Sequence, residues 1–400
     1  MRDKKCIVKF SLVISLILLI WLIAMIQVTR AQSNSWIYRI DTNTHQVSNR
    51  PIDITDDGKY IAAGNLDKVY LFNTVHSVPL WIFDLDTNIN SVAVSEDGKI
   101  VVAGTGGYSI YVINGTTGVK IRNYTTPAAV RDIAINANGT YIIAGLTSHA
   151  ILYNSSSDVS LASYSVPAGT IRVDISNDGK YIAIGGDDSV IYMCNRTDTE
   201  WYYTTGGNIY DVAFSGDGNY LAAGSLDYNV YYFRTESSTP LNSYTTIGYV
   251  QDVALSDKGD YYIAGGQGNN LYLFSNTSSA PMWSYTQLDD VRSVTMSGNG
   301  SVAAAGIQDS NLNFKLLLFY NYSSTPWLTI SPDDGIEGLD MSWNGDYIGL
   351  KGMHSITFYN RFNPTIINPG SIGITPLPMI LFLAGISGFL VIKHRKLKHK

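Results

Sequence analysis

Short apolar runs alternate with polar turns from position 36 to position 361, and the pattern recurs about every 40 residues. Its clearest marker is a glycine closing a polar turn: Gly58, Gly98, Gly139, Gly179, Gly218, Gly259, Gly300 and Gly345, spaced 40, 41, 40, 39, 41, 41 and 45 apart. A second glycine follows six residues later in seven copies, from Gly64 to Gly306, and Lys351 holds that place in the eighth. Repetition at this length marks a repeat architecture before any motif is considered. The copy at 211–233 shows how a unit decodes. Asp211-Val-Ala-Phe-Ser215 is a short apolar strand. Asp217-Gly218 reads as a two-residue type I′ hairpin turn, since Asp or Asn followed by Gly supplies the positive φ that both positions need. Seven copies obey this pattern, and Lys258 is the exception. Tyr220-Leu-Ala-Ala-Gly224 is the return strand, with small residues where another backbone comes close. Val230-Tyr-Tyr-Phe233 makes a third strand. Runs between units, such as Pro79-Leu-Trp-Ile-Phe83 and Trp201-Tyr-Tyr203, make a fourth.

Four antiparallel strands per unit of about 40 residues describe a propeller blade, and closing the ring hides sheet edges that an open stack would expose. The fold expected is therefore all-β, an eight-bladed β-propeller. Seven blades is the alternative should 36–54 or the irregular last unit, 327–358, fail to close.

The pattern Ser-x-Asp-Gly-x-Tyr-x-Ala-x-Gly-Ser-x-Asp-x-x-Val-Tyr, which runs from Ser215 to Tyr231, resembles the core of WD-repeat propellers. It equally resembles blades of pyrroloquinoline-quinone-type propellers, whose strands often read Leu-Trp-x-Tyr, as Met282-Trp-Ser-Tyr285 does. No unit ends in Trp-Asp or opens with Gly-His; the third strands end in Phe72-Asn73, Ile113-Asn114, Tyr153-Asn154 or Phe274-Ser275. Quinoprotein members carry an adjacent cysteine pair, a Trp platform and an acidic calcium-ligand set. Here the body holds one cysteine, Cys194, so no cofactor is expected.

The two ends differ from the body. Positions 7–28 are apolar except for Lys9, with Arg2, Lys4 and Lys5 before them, so 1–31 reads as a signal peptide or signal-anchor. Positions 372–392 carry no charge over 21 residues and lead directly into the basic tail 393–400. That combination predicts a transmembrane helix after a short linker, 364–371. Positive charge stays on the cytoplasmic side, so the carboxyl terminus is expected inside and the propeller, 32–363, outside the cell membrane.

Removing the ends changes the charge balance. Net charge is −6 for the whole chain, but positions 32–370 hold 17 Lys+Arg against 32 Asp+Glu, a net of −15. Such a body repels polyanions, which excludes nucleic acid as an expected partner. Two cysteines exclude a disulfide scaffold.

Candidate chemistry is sparse. Asp84-x-Asp86-x-Asn88-x-Asn90 has the alternating oxygens of a calcium loop, but Ile89 and Ser95 stand where glycine and glutamate are needed, so it reads as an interblade turn. His45, His76, His149 and His354 are scattered, no G-x-S-x-G occurs, and Gly104-Thr-Gly-Gly107 precedes no helix that could hold a phosphate. No catalytic or metal residues are expected. Eight N-x-[ST] sequons occur, and Asn114, Asn154, Asn195 and Asn276, which follow third strands, are the better glycan acceptors. Sequon density and the lack of disulfides resemble surface proteins of archaea. The expected function is a non-catalytic binding or scaffold module for protein or surface glycan. The alternatives are a propeller enzyme with a site in the central channel, quinoprotein-like or hydrolase-like, and a structural cell-surface component.

Overall fold

The computed structural model describes residues 35–40 and 52–364, apart from 168, 170, 269, 287–289, 309–310, 312 and 333. The amino-terminal segment 1–31, the linker beyond 364, the apolar run 372–392 and the basic tail lie outside the described residues. Among those described, every regular element is a strand, and no helix is long and apolar enough to cross a membrane.

Thirty-two strands form eight four-stranded antiparallel sheets. Seven are consecutive in sequence, spanning 52–84, 89–125, 132–165, 171–204, 209–245, 250–286 and 290–330, and they are numbered here as blades 1 to 7. Within each blade the strands are lettered a to d, from the channel outwards. Blade 8 is composite: Gly338–Met341, Tyr347–Lys351 and Ser355–Asn360 supply strands a to c, and Trp36–Arg39 supplies strand d. The expected last unit, 327–358, is thereby corrected. Leu328–Ile330 is the outer strand of blade 7, and the amino-terminal strand closes the ring. The 45-residue spacing also has a local cause. Strands b and c of blade 7 each have seven residues, and the extra length lies between Gln308 and Phe314.

Hydrophobic clusters form between blades, each drawing residues from two neighbouring sheets, as when Ile110 and Val112 of blade 2 pack with Ile142 and Ala144 of blade 3. The second glycine makes room for this packing. A Cβ on Gly64 would lie 2.7 Å from Ile89, one on Gly224 2.7 Å from Val250, and one on Gly265 2.5 Å from Val291, each the β-branched residue that opens or enters the next inner strand. In blade 8 Lys351 fills this place, buried, with Nζ 3.2 Å from Glu337 and donating to the Gly352 carbonyl. Burial pushes this ammonium below its usual range, and the Glu337 carboxylate opposes that shift.

The turn glycines all lie at φ between +65° and +74°. The turn around them is not type I′, however. Asp217 is not among the positive-φ residues, and Ser215 N–H reaches Tyr220 O across a four-residue loop, with Gly218 N–H on Ser215 O at 2.8 Å. This is an i to i+3 turn followed by a left-handed glycine, an arrangement common in four-residue hairpins. Side chains secure it: Ser215 Oγ donates to Asp217 Oδ1 (2.7 Å), which also accepts from Asn219 N–H (3.0 Å). Equivalent bonds recur from Thr55/Asp57 to Ser342/Asn344.

Most of these glycines also lie beneath a side chain of the preceding blade. A Cβ on Gly98 would run into the Tyr60 ring, whereas one on Gly218 would meet only Ser176 Cβ at 3.0 Å. Gly98→Ala and Gly218→Ala both carry the left-handed penalty of about 1–2 kcal/mol. Only the first must also displace a ring, so its melting temperature should fall further. Equal falls in thermal denaturation would show that the tyrosine does not pack as described.

Candidate functional site

The inner strands enclose a central cavity of about 780 Å3. Carboxylates line it, and most are committed to structure. Asp53 Oδ2 accepts from Val94 N–H (2.7 Å), Asp174 Oδ2 from Phe214 N–H (2.7 Å) and Asp340 Oδ2 from Ile54 N–H (2.8 Å). Asp132, Asp211 and Asp252 do the same two residues earlier along the strand, accepting from Val173 (3.2 Å), Val253 (3.0 Å) and Val294 (2.7 Å). In blade 7, Ser293 Oγ takes the role and accepts from Leu339 N–H (3.3 Å). Each bond ties one blade to the next around the channel. A second set acts outside, where indole N–H groups donate to the next blade: Trp36 to Thr74 O, Trp81 to Gly115 O, Trp201 to Thr235 O and Trp283 to Asn321 O, at 2.7–2.9 Å.

One mouth of the channel is formed by the hairpins joining strands a and b. Backbone bonds link successive hairpins there, including Glu96 N to Ala137 O (2.9 Å), Asp257 N to Gly298 O (2.8 Å) and Trp343 N to Asp56 O (2.9 Å). Three carboxylates gather at this mouth. Asp56 is exposed at this mouth, and partial desolvation there, together with Glu96 and Asp257, raises its pKa to about 7. Burial also raises Asp257, opposed by the Trp343 indole N–H that donates to it. Deeper in, Asp53 and Asp340 hydrogen-bond to each other. Burial and mutual repulsion hold a proton on the pair well above the ordinary carboxylate range.

The opposite face carries the b–c turns and d–a connections. Here Leu66, Tyr108, Ser189 and Tyr228 take the left-handed backbone conformation, with φ of 52°, 63°, 62° and 71°. Tyr108 is 54% exposed and Tyr228 42%. Tyr228 stacks on Tyr249 with ring centroids 5.1 Å apart, beside the exposed Ile247.

The sequons prove to be structural positions as well. Asn114 and Asn154 end strand c, and their Oδ1 atoms accept from the N–H two residues on, at 3.0 and 2.8 Å; Asn195 does the same at 2.8 Å. Asn73 and Asn360 make the same turn without a sequon. Asn195 Nδ2 further bonds Glu200, and Asn276 Nδ2 bonds Asp260. In the interblade turn that begins at Asp84, Asp84 pairs with Lys68. Cys194 is buried, and burial raises its thiol to about 11. Among the described residues no group of three or more His, Cys, Asp or Glu is arranged to hold a metal ion. Reading the sequence missed the staple carboxylates and Asp56. A signal was present, because the two staple positions lie five and seven residues before the turn glycine and therefore share one strand face.

Fold and repeat together define the class: an eight-bladed β-propeller built from repeats of about 40 residues. Residues 200–234 match the WD domain, G-beta repeat family, a segment running from strand d of blade 4 through strand c of blade 5. The sequence repeat is thus offset by one strand from the blade. Among solved structures, the chain is similar to the crystal structure of RRP9 WD40 repeats, with a TM-score of 0.57 and 12% identity over 69% of this chain and 95% of that one. At that identity the likeness concerns the fold. No curated protein matches the chain.

Asp252 accepts from both Val294 N–H and Ser293 Oγ (2.9 Å). Asp252→Ala strands these donors and should cost about 1–3 kcal/mol in chemical denaturation, whereas an exposed-loop control such as Ser238→Ala should cost within about 0.5 kcal/mol. Similar losses for the two would remove the staple from the account. Asp56 makes a pH prediction. Its folded pKa lies above the unfolded one, so the native state holds the proton longer, and stability contributed by this group falls as pH rises from about 3.8 to about 7. Asp56→Asn should flatten that part of the stability profile, and an unchanged slope would contradict the raised pKa.

Proposed function

We propose that this protein is a membrane-anchored, extracytoplasmic propeller that recognises a protein through its loop face and carries out no catalysis. The observation that carries the recognition reading is Tyr228 at φ 71°. Left-handed backbone disfavours any side chain beyond Gly, Asn or Asp by about 1–2 kcal/mol, and glycine in this three-residue turn, Leu226 to Tyr228, would remove that cost. A large aromatic retained there, exposed and stacked on Tyr249, suits an anchor residue of the kind that dominates protein interfaces. WD40 propellers commonly serve as interaction scaffolds, which agrees with this reading. The channel carboxylates are occupied as acceptors for backbone N–H groups, which favours a structural over a catalytic role for them.

Anchoring rests on the two apolar runs and their basic flanks. One feature of the fold supports it: Ser35 Oγ donates to Asn363 O at 2.6 Å, so both chain ends leave the propeller side by side. A single membrane can therefore receive both.

Two experiments test these readings. With a partner captured by crosslinking to the full chain in its membrane, Tyr228→Gly should leave the melting temperature unchanged or higher while lowering affinity by about 2 kcal/mol, roughly thirtyfold. Unchanged affinity would move recognition off this face. Protease added to intact cells should degrade the propeller and spare an epitope at the carboxyl terminus. A protected propeller would refute the orientation.

A further inference from the structure

Among the described residues, five of the seven most exposed large apolar side chains stand on one rim. The c–d connections lie on the same face as the a–b hairpins, to which they are hydrogen-bonded, as in Thr74 N to Lys59 O and Gly115 N to Lys99 O. At or just after these connections stand Val78 (71% exposed), Val119 (62%) and Val159 (68%), equivalent positions in blades 1, 2 and 3. Blade 7 presents Tyr322 (75%) in its connection, and Phe362 (73%) follows the last strand of blade 8. The series stops at blade 4, where the register places Asp198 at the position of Val119.

Both chain ends belong to this rim. Ser35 precedes the outer strand of blade 8, and Asn363 follows its strand c. Seven residues, 365–371, separate 364 from the apolar run that begins at 372 and can span no more than roughly 25 Å; six residues, 29–34, separate Ser35 from the run ending at 28, a reach of roughly 20 Å. A bilayer reached through such short tethers must lie close to the rim from which they emerge. Phe362 stands beside the exit and Tyr322 in the adjoining blade 7, the place where aromatic rings settle at a membrane interface.

We propose that the rim of blades 7, 8, 1, 2 and 3 rests on the lipid bilayer, with Tyr322 and Phe362 beside the chain exit and Val78, Val119 and Val159 as successive contacts. This rests on the anchoring reading given above. The surface expected is electrically neutral, because a body of net charge −15 would be repelled by anionic headgroups. Docked in this way, the propeller turns its opposite face, with Tyr108 and Tyr228, away from the membrane.

The test uses the full chain carrying Cys6→Ser, reconstituted in phosphatidylcholine vesicles. The remaining Cys194 is fully buried, with a thiol pKa of about 11, and resists labelling. A fluorophore is attached at Val119→Cys or Val159→Cys, with Tyr108→Cys on the opposite face as control, and phosphatidylcholine bearing a nitroxide supplies the quencher. The rim labels should lose most of their emission while the Tyr108→Cys label keeps its own. Retention of the chain after alkaline carbonate washing, with the rim labels unquenched, overturns the docking alone. Release by carbonate overturns the anchoring and the docking together. Self-quenching between rim labels without lipid quenching assigns the rim to a second copy and overturns the proposal. Glycans found by mass spectrometry at Asn114 or Asn154, which start the connections leading to Val119 and Val159, would hold the rim off the lipid and also overturn it.

Discussion

The pairing of Trp36–Arg39 with Ser355–Asn360 is the interaction on which the rest of the structure depends. Seven blades are continuous in sequence and could stack as an open arc. The eighth exists only because the chain returns to its starting point. Trp36 ↔ Phe358 is the pair that opens the seam, with the two rings stacked at 5.5 Å. The same indole donates across to Thr74 in blade 1, so one residue completes a sheet and joins it to its neighbour. The inner staples reach across as well, because Asp340 of blade 8 holds Ile54 of blade 1, and Asp53 of blade 1 holds Val94 of blade 2. Opening the seam would expose edge strands on both sides and leave these acceptors without donors.

Much of this was legible in the sequence. The turn glycines and the second glycines mark two places where a Cβ cannot be accommodated, one by conformation and one by the approach of the next blade, so they recur with the period of the blade. That period carries the architecture and the number of blades. The turn type was misread because Asp-Gly suits both a two-residue and a four-residue loop. What separates the two is the serine two residues before the aspartate, whose hydroxyl bonds both Asp217 and Tyr220 N–H. Closure was misplaced because strand d stands between units in sequence and can be assigned to either neighbour; only pairing decides that Leu328–Ile330 belongs to blade 7.

The site was harder to read. Staple aspartates alternate between two offsets from the turn glycine, so no single column of the repeat displays them. Asp56 was invisible for a different reason: its pKa follows from Glu96 and Asp257, which lie 40 and 201 positions away and meet it only in the closed ring. Likewise Tyr228 looks like one of 28 tyrosines until its backbone angle is known. On the proposed reading the two faces divide the work. The hairpin face, tied by its ring of backbone bonds and bearing both chain ends, faces the membrane. The loop face displays strained aromatic side chains to a partner.

The central claim, that eight blades form one closed cooperative ring sealed by the amino-terminal strand, is tested most directly by hydrogen exchange followed by mass spectrometry on Tyr38→Pro. Proline there removes the backbone donor that faces Ile356 across the seam, and Tyr38→Ala controls for the lost ring contacts with Tyr70 and Phe72 of blade 1. The account predicts that exchange protection falls together in blades 1 to 8, including the inner strands of blades 4 and 5 on the far side of the ring. Loss of protection confined to blade 8, with the distant blades as protected as in the unaltered chain, would contradict it.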